Sequence, residues 1–222
     1  MKKEKIQALE KSLCKLLQER EIKKIKVMEI CNDANVSRSA FYTYFDDIYS
    51  LVTEIEDRIM DDVAHIMKKR KGFDFQNVKR GDTDPLFLEI CRYCYNNLEI
   101  YKAMFCAYGN PDFVHRYERA IFEDFMLHID GETNIQFPEL VASTCSGAVV
   151  WLCRTWFSDI TLATPEEIAQ LHTNVVYKGI LLPNIMTESS ASSPQKSMQR
   201  ESLWPISDNW GTTQREEWFW KY

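Results

Sequence analysis

The sequence is poor in the residues that end secondary structure. Its 222 residues include only 7 Gly and 7 Pro, whereas an all-β protein needs turn residues between many short strands. It also lacks a phosphate-binding glycine loop, a nucleophile elbow and an HExxH zinc signature. A helical enzyme that uses an acidic cluster is the alternative, but these residues are better explained as a solvated helix face: Glu54, Glu56, Asp57, Asp61 and Asp62. We predict a helical protein that is not an enzyme.

Long apolar runs and a leader pattern are also missing. No stretch approaches the roughly 20 apolar residues of a membrane-spanning helix, and the first residues, MKKEKIQALEKSLCKLLQERE, interrupt each apolar run with charge, unlike a signal or transit sequence. The seven cysteines are an odd number, which is typical of free thiols in a reducing compartment. We therefore expect a cytoplasmic protein.

A thiol sensor or metal site is an alternative use of some of these cysteines. Cys91 and Cys94 are three residues apart on a predicted helix, and Cys106 and His115 are further candidates. A zinc site usually has four close ligands in a tighter spacing, and buried cysteines behave as small apolar residues. We predict no metal and no cofactor.

The charge is distributed unevenly along the chain. The net charge is −6, yet residues 1–45 contain ten Lys or Arg against six Asp or Glu. A basic N-terminal part on an acidic remainder indicates a localised contact with a polyanion. The alternative is a charged first helix that is simply solvated.

Three helical segments and a tight turn open the chain. The spacing of apolar residues predicts an amphipathic helix over residues 3–20 and a short second helix over residues 27–34. Asn35 follows where a residue tolerant of left-handed dihedrals ends a helix, and Ser37 is a suitable N-cap for a third helix. In that helix Phe41 and Phe45 are four residues apart and point to one side.

The rest of the chain is predicted to be helical to about residue 183. Asp47 is a suitable cap for a fourth helix that continues to about residue 70, and residues 71–84 are polar and aperiodic. Further helices are predicted near residues 85–97, 98–108, 111–130, 138–158 and 165–183. A capping box of Thr164 and Glu167 marks the start of the last one. The Ser-rich, Trp-containing segment 187–222 is predicted to be a poorly ordered extension, with an interaction peptide as the alternative.

The stretch IKVMEICNDANVSRSAFYTYFDDIYSL resembles the tetracycline-repressor (TetR) family of bacterial transcription regulators. The resemblance is strong over about residues 5–55, and its register comprises Val27, Ile30, Ala34, Val36, Ser37, the run Phe41-Tyr42-x-Tyr44-Phe45, and Leu51. It implies an all-α fold with a three-helix helix-turn-helix DNA-binding domain at residues 1–46. A helical effector-binding and dimerisation domain is then expected at residues 47–186.

The resemblance implies that the third helix and its surroundings contact double-stranded DNA. Arg38 is the expected base-reading residue, because a guanidinium can donate two hydrogen bonds to guanine; a phosphate contact or a solvated arginine is the alternative. The other expected contacts are Lys26, Ser37, Ser39, Tyr42, Thr43 and Tyr44, with core packing as the alternative for one of the tyrosines. Two positions depart from the family, which commonly has a phosphate-binding Lys at the position of Ile48 and a capping Thr at that of Lys26.

The resemblance also implies a homodimer that responds to a small-molecule effector. The last two helices are expected to pair with their copies in a second subunit, with ordinary core packing of their apolar faces as the alternative. The dimer would meet a palindromic operator with half-sites about 34 to 36 Å apart. The effector pocket is predicted to have aromatic walls at Phe87, Tyr95, Tyr101, Phe105, Phe122 and Trp151.

The expected function is therefore that of a ligand-responsive transcription regulator, with repression as the family's common outcome. The alternative is a regulator-like coactivator or adaptor that acts through protein contacts with weak or no operator binding. Ile48 and the Trp-containing tail motivate this alternative.

Overall fold

The computed structural model describes residues 2–68, 82–129 and 135–181, and the principal elements of these ranges are helices. The N-terminal part comprises α1 (Lys2–Glu19), a 3₁₀ turn (Ile22–Lys24), α2 (Val27–Asp33) and α3 (Arg38–Tyr44). The remainder comprises α4 (Ile48–Met67), α5 (Pro85–Asn96), α6 (Leu98–Phe105), α7 (Pro111–Ile129), α8 (Pro138–Ser158) and α9 (Pro165–His172), which continues as a π-helix over Thr173–Leu181. The all-α fold is confirmed. The tail at residues 187–222 and most of the predicted loop lie outside the described residues.

The helix ends lie where local signals in the sequence place them. Asn35 has a φ of 52°, the left-handed conformation expected after α2. The Ser37 hydroxyl oxygen accepts a hydrogen bond from Ala40 N at 3.2 Å, and the Asp47 carboxylate accepts one from Ser50 N at 2.7 Å. The capping box before α9 is also present, with Glu167 N to Thr164 Oγ1 at 3.2 Å and Thr164 N to Glu167 Oε2 at 2.8 Å.

The N-terminal helices enclose a small apolar core that fixes α3. Leu9 and Leu13 of α1 and Ile30 of α2 are fully buried, as is Phe41 of α3. The Phe41 and Phe45 rings lie 5.6 Å apart between their centroids. Because these rings point inward, the opposite side of α3 is left to solvent.

The larger part packs around an aromatic cluster. Tyr101, Phe105 and Phe157 are buried, with ring centroids 5.1 to 6.1 Å apart. The Trp156 indole donates a hydrogen bond to the Ala163 carbonyl at 2.8 Å, which ties the end of α8 to the turn before α9. By length and composition α8 is apolar enough to cross a membrane, and half of its most apolar 18-residue window is buried inside this fold.

Polar contacts join the N-terminal helices to the larger part. The buried Glu10 carboxylate of α1 pairs with Arg58 of α4. The Gln18 amide donates to Glu99 of α6 at 3.2 Å, and the Cys106 thiol donates to the Leu17 carbonyl at 3.3 Å. The position of α1, and of the helices that pack on it, therefore depends on α4 and α6.

Candidate nucleic-acid interface and ligand cavity

The outward side of α3 presents a set of polar side chains. The exposed residues are Arg38, Ser39, Tyr42 and Thr43, and Ser37 precedes them at the N-cap. Arg38 forms no ion pair or hydrogen bond within the described residues, so its guanidinium retains all five N–H donors. In helix-turn-helix proteins the residues at the amino-terminal end of the second helix of the motif are those that contact base edges, and Arg38 occupies this position on α3.

The other small polar residues of this surface have local roles as well. The Ser37 oxygen caps α3, while its hydroxyl proton stays available for donation. The Thr43 hydroxyl donates to the Ser39 carbonyl at 2.9 Å, which directs its proton into the helix. Ser39 is exposed and forms no side-chain hydrogen bond in the part of the chain that is described.

The two tyrosines of α3 occupy different environments. Tyr42 is half exposed and lies edge-on to the Phe41 ring, with centroids 5.4 Å apart. Tyr44 is half-buried, and the Lys2 ammonium lies 5.6 Å from the centroid of its ring. The phenol of Tyr42 is thus the more accessible donor to a phosphate oxygen, whereas Tyr44 packs against α1.

Four of the ten cations in residues 1–45 are held by neighbouring carboxylates. These ion pairs join Lys15 to Asp33 at 2.9 Å, Arg20 to Glu29 at 2.6 Å, and Lys23 and Lys24 to Glu21 at 3.0 and 3.4 Å. The hydrogen bonds from Lys15 and from Lys23 lower the pKa of Asp33 and of Glu21, respectively. The exposed cations outside these ion pairs, which are available to a polyanion, are Arg38, Lys26, Lys2, Lys3, Lys5 and Lys11.

The two departures from the family pattern have structural explanations. Ile48 is only 8% exposed and belongs to the apolar core, so no cation reaches the surface at this position. The Glu29 carboxylate accepts a hydrogen bond from Lys26 N at 2.8 Å, which lowers the pKa of Glu29. Glu29 therefore satisfies a donor at the start of α2, and the exposed Lys26 side chain is not needed as a cap.

A cavity of about 30 Å³ lies in the larger part, between α4, α5, α7, α8 and α9. Apolar and aromatic side chains supply most of its wall, and the polar lining residues are Asp84, Tyr117, Asp124, His172 and Tyr177. Sites for small organic ligands usually span about 300 to 1,000 Å³. In this conformation the cavity has room for little more than water, so a larger ligand requires its walls to move.

Polar contacts along the cavity wall connect the start of α5 to the π-helix. Asp84, only 1% exposed, accepts hydrogen bonds from Leu86 N at 2.9 Å and from the Tyr177 hydroxyl at 2.5 Å. Its own N–H donates to the Thr173 hydroxyl at 2.9 Å. The His172 ring stacks on Phe87, with centroids 3.6 Å apart and planes at 15°.

Of the six aromatic residues predicted for the effector pocket, Phe87 alone lines this cavity. Tyr101 and Phe105 are buried in the neighbouring aromatic cluster, and Phe122 is half-buried on α7. Tyr95 and Trp151 are 49% and 66% exposed, so their rings face solvent and not this cavity. The polar lining residues were absent from the prediction, although the pair Asp84-Pro85 carries the signal of a capped helix start.

The cysteines considered for a thiol or metal site do not assemble into one. Cys91 and Cys94 are buried, and burial raises the pKa of both thiols. His115 lies on the surface, 3.9 Å from Glu118. Within residues 2–68, 82–129 and 135–181, no group of three or more His, Cys, Asp or Glu side chains is placed to hold a metal ion.

The last two helices divide their apolar residues between the core and the surface. Val149, Trp156 and Ile168 are buried within the chain. Large apolar side chains on the same two helices are exposed: Leu140, Trp151, Leu171 and Val175. These four residues, the α8/α9 apolar face, are 44 to 67% exposed within the described part of the chain.

The buried framework and the exposed first turn of α3 define a helix-turn-helix in an all-α chain. Residues 81–178 match a family model of the TetR type, described as "Transcriptional regulator C-terminal region". With the helix-turn-helix that precedes it, this match makes the chain similar to the TetR family of transcriptional regulators. A comparison with curated protein sequences finds no match.

Several solved structures share the fold at low identity. A TetR transcriptional regulator from Streptococcus agalactiae has a TM-score of 0.54 and 18% identity, over 79% of this chain and 94% of that one. NalD, the secondary repressor of a multidrug efflux pump in Pseudomonas aeruginosa, has a TM-score of 0.56 and 14% identity, over 80% and 98%. The dihydroxyacetone kinase operon activator DhaS has a TM-score of 0.52 and 17% identity, over 80% and 97%. These similarities establish the shared fold.

Proposed function

We propose that this protein is a TetR-family, ligand-responsive repressor that binds a palindromic operator as a homodimer. The observation that carries the proposal is the environment of Arg38, which is exposed and without an ion pair on the first turn of α3, while Phe41 and Phe45 anchor the other side. A bidentate contact from such an arginine to guanine contributes about 1 to 3 kcal/mol of discrimination against a wrong base. The domain division at residues 1–46 and 47–186 follows from the same proposal.

Phosphate binding in this proposal depends on few cations. Lys26 is exposed before α2, and Lys2 lies beside Tyr44 at the start of α1. Tyr42, Ser37 and Ser39 add uncharged donors, while Thr43 and Tyr44 have intramolecular contacts that lessen their part. Because Ile48 supplies no charge, we expect moderate operator affinity and a correspondingly modest dependence on salt.

Dimerisation is supported by the α8/α9 apolar face. Large exposed apolar side chains grouped on two neighbouring helices are typical of a protein interface. A twofold axis through this face would pair the same helices of both subunits. The two copies of α3 would then approach consecutive major-groove segments of one operator.

The ligand response is supported by the cavity and by the contacts between the two parts of the chain. A ligand that widens the cavity must move one or more of the helices that line it, and one of these, α4, is joined to α1 by the ion pair between Arg58 and Glu10. A ligand that binds this altered conformation more tightly weakens operator binding by the same free-energy difference. A cytoplasmic location is part of this proposal, since the operator is there.

A regulator-like coactivator or adaptor is the second candidate. It is favoured by the burial of Ile48, which leaves the start of α4 without the usual cation. One solved structure with this fold is that of an operon activator, so the fold is compatible with outcomes other than repression. In this candidate the protein acts through a protein partner.

The proposal is tested by selecting binding sites from a random DNA library with the full chain and then measuring affinity by fluorescence anisotropy. We expect a palindromic site and, in Arg38→Ala, a loss of about 1 to 3 kcal/mol per half-site, or 5- to 150-fold, with relaxed preference at one base position of each half-site. Lys26→Gln removes one phosphate contact from each subunit and should reduce the slope of log K against log salt by about 2. Arg119→Ala, on the surface of α7, is the matched control and should bind normally. Failure to enrich any site, with a protein partner recovered instead, would favour the adaptor.

A further inference from the structure

Three large apolar or aromatic side chains are exposed in the N-terminal part of the chain. Within residues 2–68 they are Met28 of α2, Tyr42 of α3 and Tyr49 of α4, each about half exposed. The exposed positions of α1, by contrast, carry charged residues and Gln7. Single exposed apolar residues are ordinary on protein surfaces. These three, however, are confined to the helices that form or directly follow the helix-turn-helix, which indicates a shared surface.

Met28 is the second residue of α2 and lies away from the buried side of that helix. Ile30 and Cys31 are buried, whereas Met28 is exposed together with Asn32, which is four residues further on and on the same side. Lys26, the exposed residue that we assign to phosphate, precedes α2 at its N-cap. A methionine side chain is unbranched and adaptable, so it can pack closely against a surface that approaches this end of α2.

Arg38 of α3 lies near the same part of α2. Burial raises the pKa of the Cys31 thiol, and the positive charge of Arg38 opposes that shift, which places the guanidinium close to α2. Cys31 and Met28 are three residues apart and are therefore neighbours on the helix surface. On α3, Tyr42 follows Arg38 by one turn on the same side. Apolar surface from both helices of the motif thus lies near the arginine that we propose reads guanine.

An apolar side chain has one partner of matching chemistry in the major groove. Phosphates and polar base edges are hydrated, and a contact with Met28 would remove that water without giving a hydrogen bond in return. The 5-methyl group of thymine is apolar and distinguishes thymine from the other bases. The first helix of a helix-turn-helix crosses the DNA backbone beside the groove that the second helix enters. A long side chain on its first turn can therefore reach a methyl group at the edge of the groove.

We propose that Met28 reads a thymine in each operator half-site through the 5-methyl group of that base, in the same half-site as the guanine read by Arg38. The inference rests on the proposed operator binding and names a further specificity-determining residue for it. Arg38 selects its base by hydrogen bonding, and Met28 selects its base by apolar contact. Because an apolar contact releases no counterions, this part of the affinity does not fall with salt concentration.

The test removes single methyl groups from the DNA. A site is first selected from a random library with the full chain, and its thymines are then replaced in symmetric pairs by deoxyuridine, which lacks the 5-methyl group and keeps the same hydrogen-bonding edge. Affinities are measured by fluorescence anisotropy. We expect one symmetric pair at which the replacement weakens binding about 15-fold. This is a factor of about four per half-site, the equivalent of 0.8 kcal/mol for one buried methyl group.

Variants of Met28 show whether its side chain is the partner of that methyl group. In Met28→Ala the same replacement should change the affinity by no more than about two-fold, because the partner is absent. Met28→Leu should retain most of the sensitivity, since leucine is also large and apolar. Alanine is the best helix former, so an unchanged Tm is expected for Met28→Ala and checks its folding.

Lys26→Gln is the matched control, two positions before Met28 in the chain. It should weaken binding and reduce the dependence on salt, but leave the sensitivity to deoxyuridine as it is in the unsubstituted chain. A loss of that sensitivity in Lys26→Gln, equal to the loss in Met28→Ala, would show that the methyl contact is not specific to Met28 and would overturn the proposal.

The remaining outcomes separate this inference from the proposed function. If a palindromic site is selected but no thymine in it is sensitive to deoxyuridine, operator binding stands and the role of Met28 is refuted. The same conclusion follows if Met28→Ala keeps the full sensitivity. If the full chain selects no site at all, the proposed operator binding fails, and the inference fails with it.

Discussion

The buried Glu56 provides the sharpest test of how α4 is held against α7. Its carboxylate, almost fully buried, accepts hydrogen bonds from the Asn110 amide and the Arg116 guanidinium, both at 3.0 Å. Arg116 is half exposed and also pairs with Asp57 at 3.0 Å. Arg116→Ala therefore leaves the buried Glu56 carboxylate with the neutral Asn110 amide as its remaining partner. Glu56→Gln instead removes the buried charge, and Arg116 keeps its ion pair with Asp57.

The expected magnitudes differ between these two changes. Removing one partner of a fully buried ion pair costs about 3 to 5 kcal/mol; since Arg116 is half exposed and Asn110 remains, we expect about 2 to 3 kcal/mol for Arg116→Ala. Glu56→Gln should change the free energy of unfolding by about 1 kcal/mol or less, because it removes the desolvated charge itself. The double variant should therefore be more stable than Arg116→Ala alone, by about 1 to 2 kcal/mol.

The dependence on pH gives a second measure of the same contact. Burial raises the pKa of Glu56 above its ordinary value of 4.5, despite the opposing effects of Asn110 and Arg116. Because its pKa is higher in the folded protein, the protonated form of Glu56 favours folding. This contribution to the free energy of unfolding is fully present below pH 4.5 and is lost as the pH rises through the folded-state pKa of Glu56. In Arg116→Ala the pKa of Glu56 rises further, because the positive charge beside it is removed. The loss in the free energy of unfolding, relative to the unsubstituted protein, should therefore become smaller as the pH falls from 7 toward 5.

Urea unfolding at fixed protein concentration measures the free energy of unfolding at pH 7 and at pH 5. The four proteins compared are the unsubstituted chain, Arg116→Ala, Glu56→Gln and the double variant. Equal stability of Arg116→Ala and the double variant, or a deficit independent of pH, would refute the assignment of Glu56 as a buried charge held by Arg116.

Three further predictions concern the cap of α9, the apolar face and the start of α4. Thr164→Ala should cost about 1 kcal/mol, seen as a fall of roughly 2 to 4 °C in Tm; an unchanged Tm would contradict the capping box. Leu171→Asp should convert the proposed dimer to monomer in sedimentation velocity, whereas Leu127→Asp, at a leucine of α7 that is 78% exposed against 46% for Leu171, should not; a dimeric Leu171→Asp would exclude this face. Ile48→Lys should lower stability by about 1 to 2 kcal/mol, because it replaces a buried side chain, and it should steepen the salt dependence of operator binding by about 2 in slope, one for each subunit of the proposed dimer; an unaltered slope would show that this position does not approach phosphate.

The sequence was most informative about the N-terminal helices, because the signals there are local. Asn35, Ser37 and Asp47 each determine a helix end through their own backbone or side chain, and the structure places them as predicted. The spacing of Phe41 and Phe45 likewise indicated which side of α3 is buried.

The cavity was beyond such reasoning, because its lining comes from five helices distant in sequence. An apolar stripe shows that a residue lies on an apolar side of its helix, but not whether that side meets the core, a ligand or a second subunit. Trp151 and Phe87 look alike in periodicity, yet one is on the surface and the other beside the cavity. Asp84 and Tyr177 are 93 residues apart, so their hydrogen bond leaves no local pattern.

Ile48 shows how a single position can be identified correctly and still be understood only in the structure. Comparison with the family pattern indicated a lost cation, which concerns DNA affinity alone. Its burial adds a second effect, since the side chain now stabilises the junction of α3 and α4. A lysine there would have to extend its stem along the same apolar surface to reach solvent. The residue therefore packs in the core and adds no charge, so any operator contact must draw its positive charge from Arg38, Lys26 and the exposed lysines of α1.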